Sequence, residues 1–180
     1  TALSFGGVIS GDGYSLTKDG PGRLVLDGVN SYSGSTVLDG GTLEVNGSIA
    51  PASMVTANSG TLEGNGTILG TLEVPASSTL TMSNEGGMLN AGDVVIDGTL
   101  EFEIRDTDQA SDAALVVLND LDLTGATLDL NITAETVQTA YVIATYDSLT
   151  GTFASVTGLP VDWAVDYSYN TTDSIAIVPL

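Results

Sequence analysis

Five copies of one short phrase limit how this chain can fold. Gly41-Thr42-Leu43-Glu44-Val45 returns as Gly60-Thr61-Leu62-Glu63, as Gly70-Thr71-Leu72-Glu73-Val74 and as Gly98-Thr99-Leu100-Glu101-Phe102; Gly125-Ala126-Thr127-Leu128-Asp129-Leu130 is a looser fifth copy. Each copy alternates apolar and polar residues, so Leu43 and Val45 point one way while Thr42 and Glu44 point the other. Each opens on glycine, and Asn-Gly follows several of them, which suits a turn. A turn and a half-buried strand, repeated along a chain, mark a solenoid. One coil cannot bury its own apolar row, but stacked coils bury a continuous one. Leu43, Leu62, Leu72, Leu100 and Leu128 are therefore expected inside, as one apolar column.

The spacing of the copies is uneven, beginning at Gly41, Gly60, Gly70, Gly98 and Gly125. A coil of ~20 residues fits the first step. The step from Gly60 to Gly70 is half a turn at most, and the longer steps must hold more than one strand. Such irregularity favours a β-helix, whose loops vary in length, over a strict short repeat. Further strands are expected at Tyr14–Lys18, Arg23–Asp27, Met54–Ala57, Thr79–Met82, Val94–Asp97 and Ser174–Val178. No segment sustains a 3.6-residue period; the nearest, Asp112 to Leu118, carries the β-branched pair Val116-Val117.

After about Gln138 the character shifts. Six of the ten aromatic residues fall there: Tyr141, Tyr146, Phe153, Trp163, Tyr167 and Tyr169. Large rings are needed where a stack ends and its open core must be covered. The expected organisation is a β-solenoid body over 1–137 and an aromatic-rich C-terminal β cap over 138–180.

Composition excludes several functions. With 23 acidic and 3 basic residues the formal charge is −20, and Lys18, Arg23 and Arg105 are the only cations among the side chains. Nucleic acid and anionic membrane both need clustered Lys and Arg. No apolar run approaches the ~18 residues of a membrane helix, so no membrane insertion is expected. No basic and apolar leader opens the chain, and none is expected within it. The acidic residues keep the protein soluble, or they bind divalent cations. Asp106-Thr107-Asp108 and Asp120-Leu121-Asp122 are the close acidic pairs. On a strand, an Asp-x-Asp pair points both carboxylates to one face, which suits Ca²⁺ or catalysis; in a turn the same residues are solvated punctuation. Asp106, Asp108, Asp120 and Asp122 are thus candidate Ca²⁺ ligands, and Ca²⁺ is the only cofactor considered. The chain has no His and no Cys, which removes imidazole bases, thiol nucleophiles and the usual zinc ligands.

One segment carries a resemblance. Leu24 through Leu43 reads strand, Gly28-Val29-Asn30-Ser31-Tyr32-Ser33-Gly34, Thr36, strand, then Gly40-Gly41-Thr42-Leu43. This resembles the autotransporter-associated β-strand repeat, which fixes Asn, Tyr, Gly and Thr at set offsets. Ser111-Asp112, Leu123 to Leu128, Gly151-Thr152-Phe153 and Gly158-Leu159-Pro160 extend the likeness over most of the chain from Leu24 onward. The resemblance implies a right-handed parallel β-helix and secretion to the surface or matrix of a Gram-negative-type bacterium. No segment is expected to form the outer-membrane barrel of an autotransporter, and no adhesin-type binding motif is visible.

Function is therefore expected to be structural and non-enzymatic: a subunit of an extracellular filament or biofilm matrix. The alternative is a monomeric passenger-type adhesin or spacer, and a polysaccharide-acting β-helix enzyme is a distant third. The expected partner is another copy of the chain, joined head to tail, with matrix polysaccharide a further partner. Residues 1–10 form the candidate assembly strand, with Leu3 and Phe5 on one face and no charge to blunt the edge. Ile175 and Ile177 are expected to form the matching uncharged edge at the other end.

Overall fold

The computed structural model describes residues 2–83, 87–105, 114–133, 140–171 and 173–180. The short alternating runs become 22 strands, and the stack rises coil by coil. The first coil holds β1 (Ala2–Phe5) and β2 (Leu16–Lys18), and the second β3 (Arg23–Leu26) and β4 (Thr36–Leu38). From there each coil has three strands. The third has β5 (Thr42–Val45), β6 (Ser48–Ile49) and β7 (Val55–Ala57); the fourth has β8 (Gly60–Glu63), β9 (Thr67–Ile68) and β10 (Leu72–Val74). The fifth has β11 (Ser78–Ser83), β12 (Leu89–Ala91) and β13 (Val94–Ile96); the sixth has β14 (Thr99–Ile104), β15 (Leu115–Val117) and β16 (Asp120–Asp122). The seventh has β17 (Thr127–Ile132), β18 (Tyr141–Thr145) and β19 (Ser148–Thr150). β20 (Ser155–Thr157), β21 (Trp163–Asp166) and β22 (Ser174–Pro179) close the chain.

Three sheets result, one on each side of the coil. The first runs β1-β3-β5-β8-β11-β14-β17-β20, the second β2-β4-β7-β10-β13-β16-β19, and the third β6-β9-β12-β15-β18-β22-β21. Apart from the last two strands, every pairing is parallel, as in a β-helix. Among the described residues there is no α-helix, only one 3₁₀ turn at Tyr169–Thr171. The stretch nearest to a helical pattern makes β15, as the β-branched valines require.

Register explains the repeat. Leu3, Leu24, Leu43, Leu62, Leu80, Leu100, Leu128 and Val156 stand in line across the first sheet. Leu43, Leu62, Leu100 and Leu128 belong to this column and are buried, as expected. Leu72 does not belong to it. It is buried in the second sheet, between Val55 and Val94. The copy at Gly70 is two sides of the coil further on than the copy at Gly60, with β9 between them, and Thr79-Leu80 supplies the next strand of the first sheet.

Successive partners are 19 residues apart from Thr42 to Thr61, 18 to Thr79, 20 to Thr99 and 28 to Thr127. The two long coils gain their extra residues at the same corner, between the first and third sheets, because β14 ends at Ile104 and β17 at Ile132 before β15 and β18 begin.

The C-terminal part differs from expectation in two ways. Parallel stacking does not stop near residue 138: β18, β19 and β20 continue all three sheets, so the change of architecture comes after Thr157. Beyond it, β21 and β22 pair antiparallel and fold against β18. Trp163 lies tilted against Tyr141 with ring centroids 6.1 Å apart, and Phe153 meets Tyr167 at 6.0 Å. These rings cover the core, as the aromatic enrichment suggested. Ile175 and Ile177, expected at a free edge, are fully buried, because β22 is paired on both sides. An uncharged alternating strand is equally the signature of a central strand.

Candidate functional site

The ends of the stack differ. At the C-terminal side Leu128, Tyr141 and Ile143 are fully buried. At the N-terminal side the first coil is the outermost of the described residues. Leu3 and Phe5 occupy the inward columns above Leu24 and Leu26, yet they are 59% and 45% exposed, and Val8 is 64% exposed. Among the described residues β1 is paired with β3 alone and forms an edge of the first sheet. Such an edge templates another strand. Together they make an exposed apolar face beside a sheet edge.

The residues that mount this first coil are those of the repeat-like segment. Asn30 is buried, and its Oδ1 accepts the Ile9 amide at 3.0 Å while its Nδ2 donates to the carbonyls of Gly28 and Ser48 at 3.0 and 3.2 Å. One side chain thus ties three successive coils. Tyr32 is buried too, and its hydroxyl shares a 2.6 Å hydrogen bond with Thr36 Oγ1. Gly28 and Gly34 are required by proximity: a Cβ at Gly28 would lie 2.1 Å from the Gly7 carbonyl oxygen, and one at Gly34 would lie 2.4 Å from that of Tyr14.

Lys18 was legible only as one of three cations. It is buried, and its ammonium donates to the carbonyls of Asp19, Gly20 and Gly40 at 3.1, 2.7 and 2.8 Å. All three donors are used inside a turn. Lys18→Met should cost about 1–3 kcal/mol, since it removes three hydrogen bonds made by a charged donor. Urea denaturation measures it; an unchanged midpoint would remove this role for the ammonium.

The outward Thr and Glu of the repeat also line up. Glu44 and Glu63 face each other on β5 and β8, where like charges repel. Arg23 spans them, with contacts of 2.7 and 2.5 Å. Burial pushes the Glu63 carboxyl above its ordinary range, opposed by Arg23 and reinforced by Glu44 and Glu101. Arg23, Glu44 and Glu63, with Asn46, Glu103 and Arg105, line a groove of about 420 Å³ on the outer face of the first sheet. Arg105 pairs with Glu103.

Of the candidate Ca²⁺ ligands, Asp106 and Asp108 lie outside the described residues. Asp120 and Asp122 flank the buried Leu121 and share the outer face of β16. Asp122 Oδ1 accepts from the Thr124 hydroxyl at 2.6 Å and from its amide at 2.9 Å, which holds the carboxyl below its usual range. Asp120 accepts from the Ser148 hydroxyl. Among the described residues no three acidic side chains gather as a metal site would require. No helix among them is long and apolar enough to cross a membrane.

The architecture is that of a parallel β-helix with one covered and one open end. Residues 16–45 match the family described as passenger-associated-transport-repeat. The match takes in the whole second coil, with Asn30, Tyr32 and the close-approach glycines. Among curated proteins, none matches the chain.

Proposed function

We propose that the chain is a structural subunit of an extracellular filament or matrix, joined to its neighbours through the open N-terminal coil. The observation that supports this most is the exposure of Leu3 and Phe5 at the head of columns whose interior members are buried. Matrix polysaccharide would find hydroxyl-bonding carboxylates in the groove on the first sheet. A monomeric surface spacer is the second reading, favoured by the antiparallel closure of the third sheet at the C-terminal end. Electron microscopy of concentrated protein separates the two: fibres support the subunit, and dispersed rods support the spacer.

Charge provides a second test. At −20, copies in contact repel, and screening lowers that cost. Light scattering should rise with NaCl, and with MgCl₂ or CaCl₂ at matched ionic strength. Scattering indifferent to all three would count against self-assembly. A response to Ca²⁺ alone would instead argue for a site near Asp120 and Asp122.

A further inference from the structure

The groove on the outer face of the first sheet has a direction. Its lining comes from five coils: Arg23 on β3, Glu44 on β5, Glu63 on β8, Thr81 on β11 and Glu103 on β14. These strands are consecutive neighbours in the sheet. The groove therefore runs across the strands, along the stack, for about 19 Å, four steps of the usual strand spacing. It also gathers two of the three basic side chains of the chain, Arg23 and Arg105.

Charge and topology narrow what could lie there. Two guanidinium groups stand against three carboxylates in the lining. Arg23 is held by Glu44 and Glu63, and Arg105 by Glu103. No positive charge is left over to attract a uronate, sulfate or phosphate, and the charge of −20 opposes one. A peptide has little to hold as well. All five strands are paired on both sides, so none offers an edge for strand addition. Met82 is the one apolar side chain in the described lining and is 4% exposed, so an apolar side chain finds no seat. Hydroxyl groups suit the site. A carboxylate accepts at about four lone-pair positions, so the guanidinium contacts fix Glu44, Glu63 and Glu103 in place and leave acceptor capacity on them. Thr81 and Asn46 add both donors and acceptors.

We infer that this groove binds a neutral linear polysaccharide, laid along the stack with about one sugar ring per coil and recognised through its hydroxyls by Glu44, Glu63, Thr81 and Glu103. The inference deepens the reading of the chain as an extracellular structural protein and rests on it.

The probes are neutral gluco-, xylo- and manno-oligosaccharides from disaccharide to hexasaccharide, oligogalacturonates of the same lengths, and an uncharged peptide. Each is titrated into the full chain and followed by calorimetry. At least one neutral series should bind, with affinity rising about ten-fold from disaccharide to tetrasaccharide, the worth of a few hydrogen bonds. It should then level off where the groove ends. Oligogalacturonates should bind at least about ten-fold more weakly. Ser83→Trp, which sets an indole in the groove, and Glu63→Gln should each weaken binding about ten-fold. Thr56→Ala, on the outer face of the second sheet, should change nothing. Thermal melts of the variants check that each is folded. Absence of binding by every neutral series would overturn the inference, as would tighter binding of the oligogalacturonate or the peptide. Affinity that ignores sugar length or both groove substitutions would overturn it too. Electron microscopy of the same protein keeps the two readings apart: fibres that bind no neutral sugar would overturn the groove and leave the subunit standing. Dispersed rods that bind in the expected pattern would support the groove and count against the filament.

Discussion

Leu100→Ala should lower stability by about 2–5 kcal/mol, the range for emptying a packed leucine site. Leu100 is 2% exposed and sits between Leu80 and Leu128 near the middle of the stack. In a solenoid each coil is held only by its neighbours, so a defect there weakens the link between two halves. The melt should broaden as well as shift, since cooperative unfolding depends on that link. Leu3→Ala, in the same column but 59% exposed, should leave the melting temperature of the monomer nearly unchanged. Circular dichroism melts of both proteins check this. A Leu100→Ala protein that melts like the parent would show that the column carries little of the stability.

Gly47→Ala should destabilise by about 1–3 kcal/mol or more, the cost of forcing atoms into a packed region. A Cβ at Gly47 would lie 2.1 Å from the Gly28 carbonyl oxygen, and Gly66 has the same relation to Gly47 at 2.2 Å. The clashing atoms are backbone, so the strand must shift to relieve them. Gly7, which lies against Gly28, is the control: a Cβ there meets nothing within 4 Å. Gly7→Ala should therefore melt like the parent in dilute solution. Equal destabilisation by both substitutions would mean that propensity, rather than close approach of coils, keeps glycine at this corner.

The candidate site was partly legible. Leu3 and Phe5 could be read as an unblunted edge because their alternation and lack of charge are local properties. Ile175 and Ile177 show the same two properties and are buried. What separates them is the number of neighbours: β1 has one and β22 has two. Asn30 and Tyr32 were visible as a motif, but not that Asn30 binds three coils together. Lys18 left no usable signal, since lysine in an alternating strand is normally solvated, and only the carbonyls gathered from two turns make its burial tolerable.

Residues alone determined the all-β class, the stacked repeat and the buried leucines, because alternation and glycine punctuation act within a few residues. Tertiary structure alone decided that Leu72 belongs to a different sheet from Leu62, that parallel stacking runs on to Thr157, and that the two ends differ. Each of these depends on which coil lies above and below a residue. In a stack with steps from 18 to 28 residues, that neighbour is set by the length of the corners, which strand periodicity does not encode.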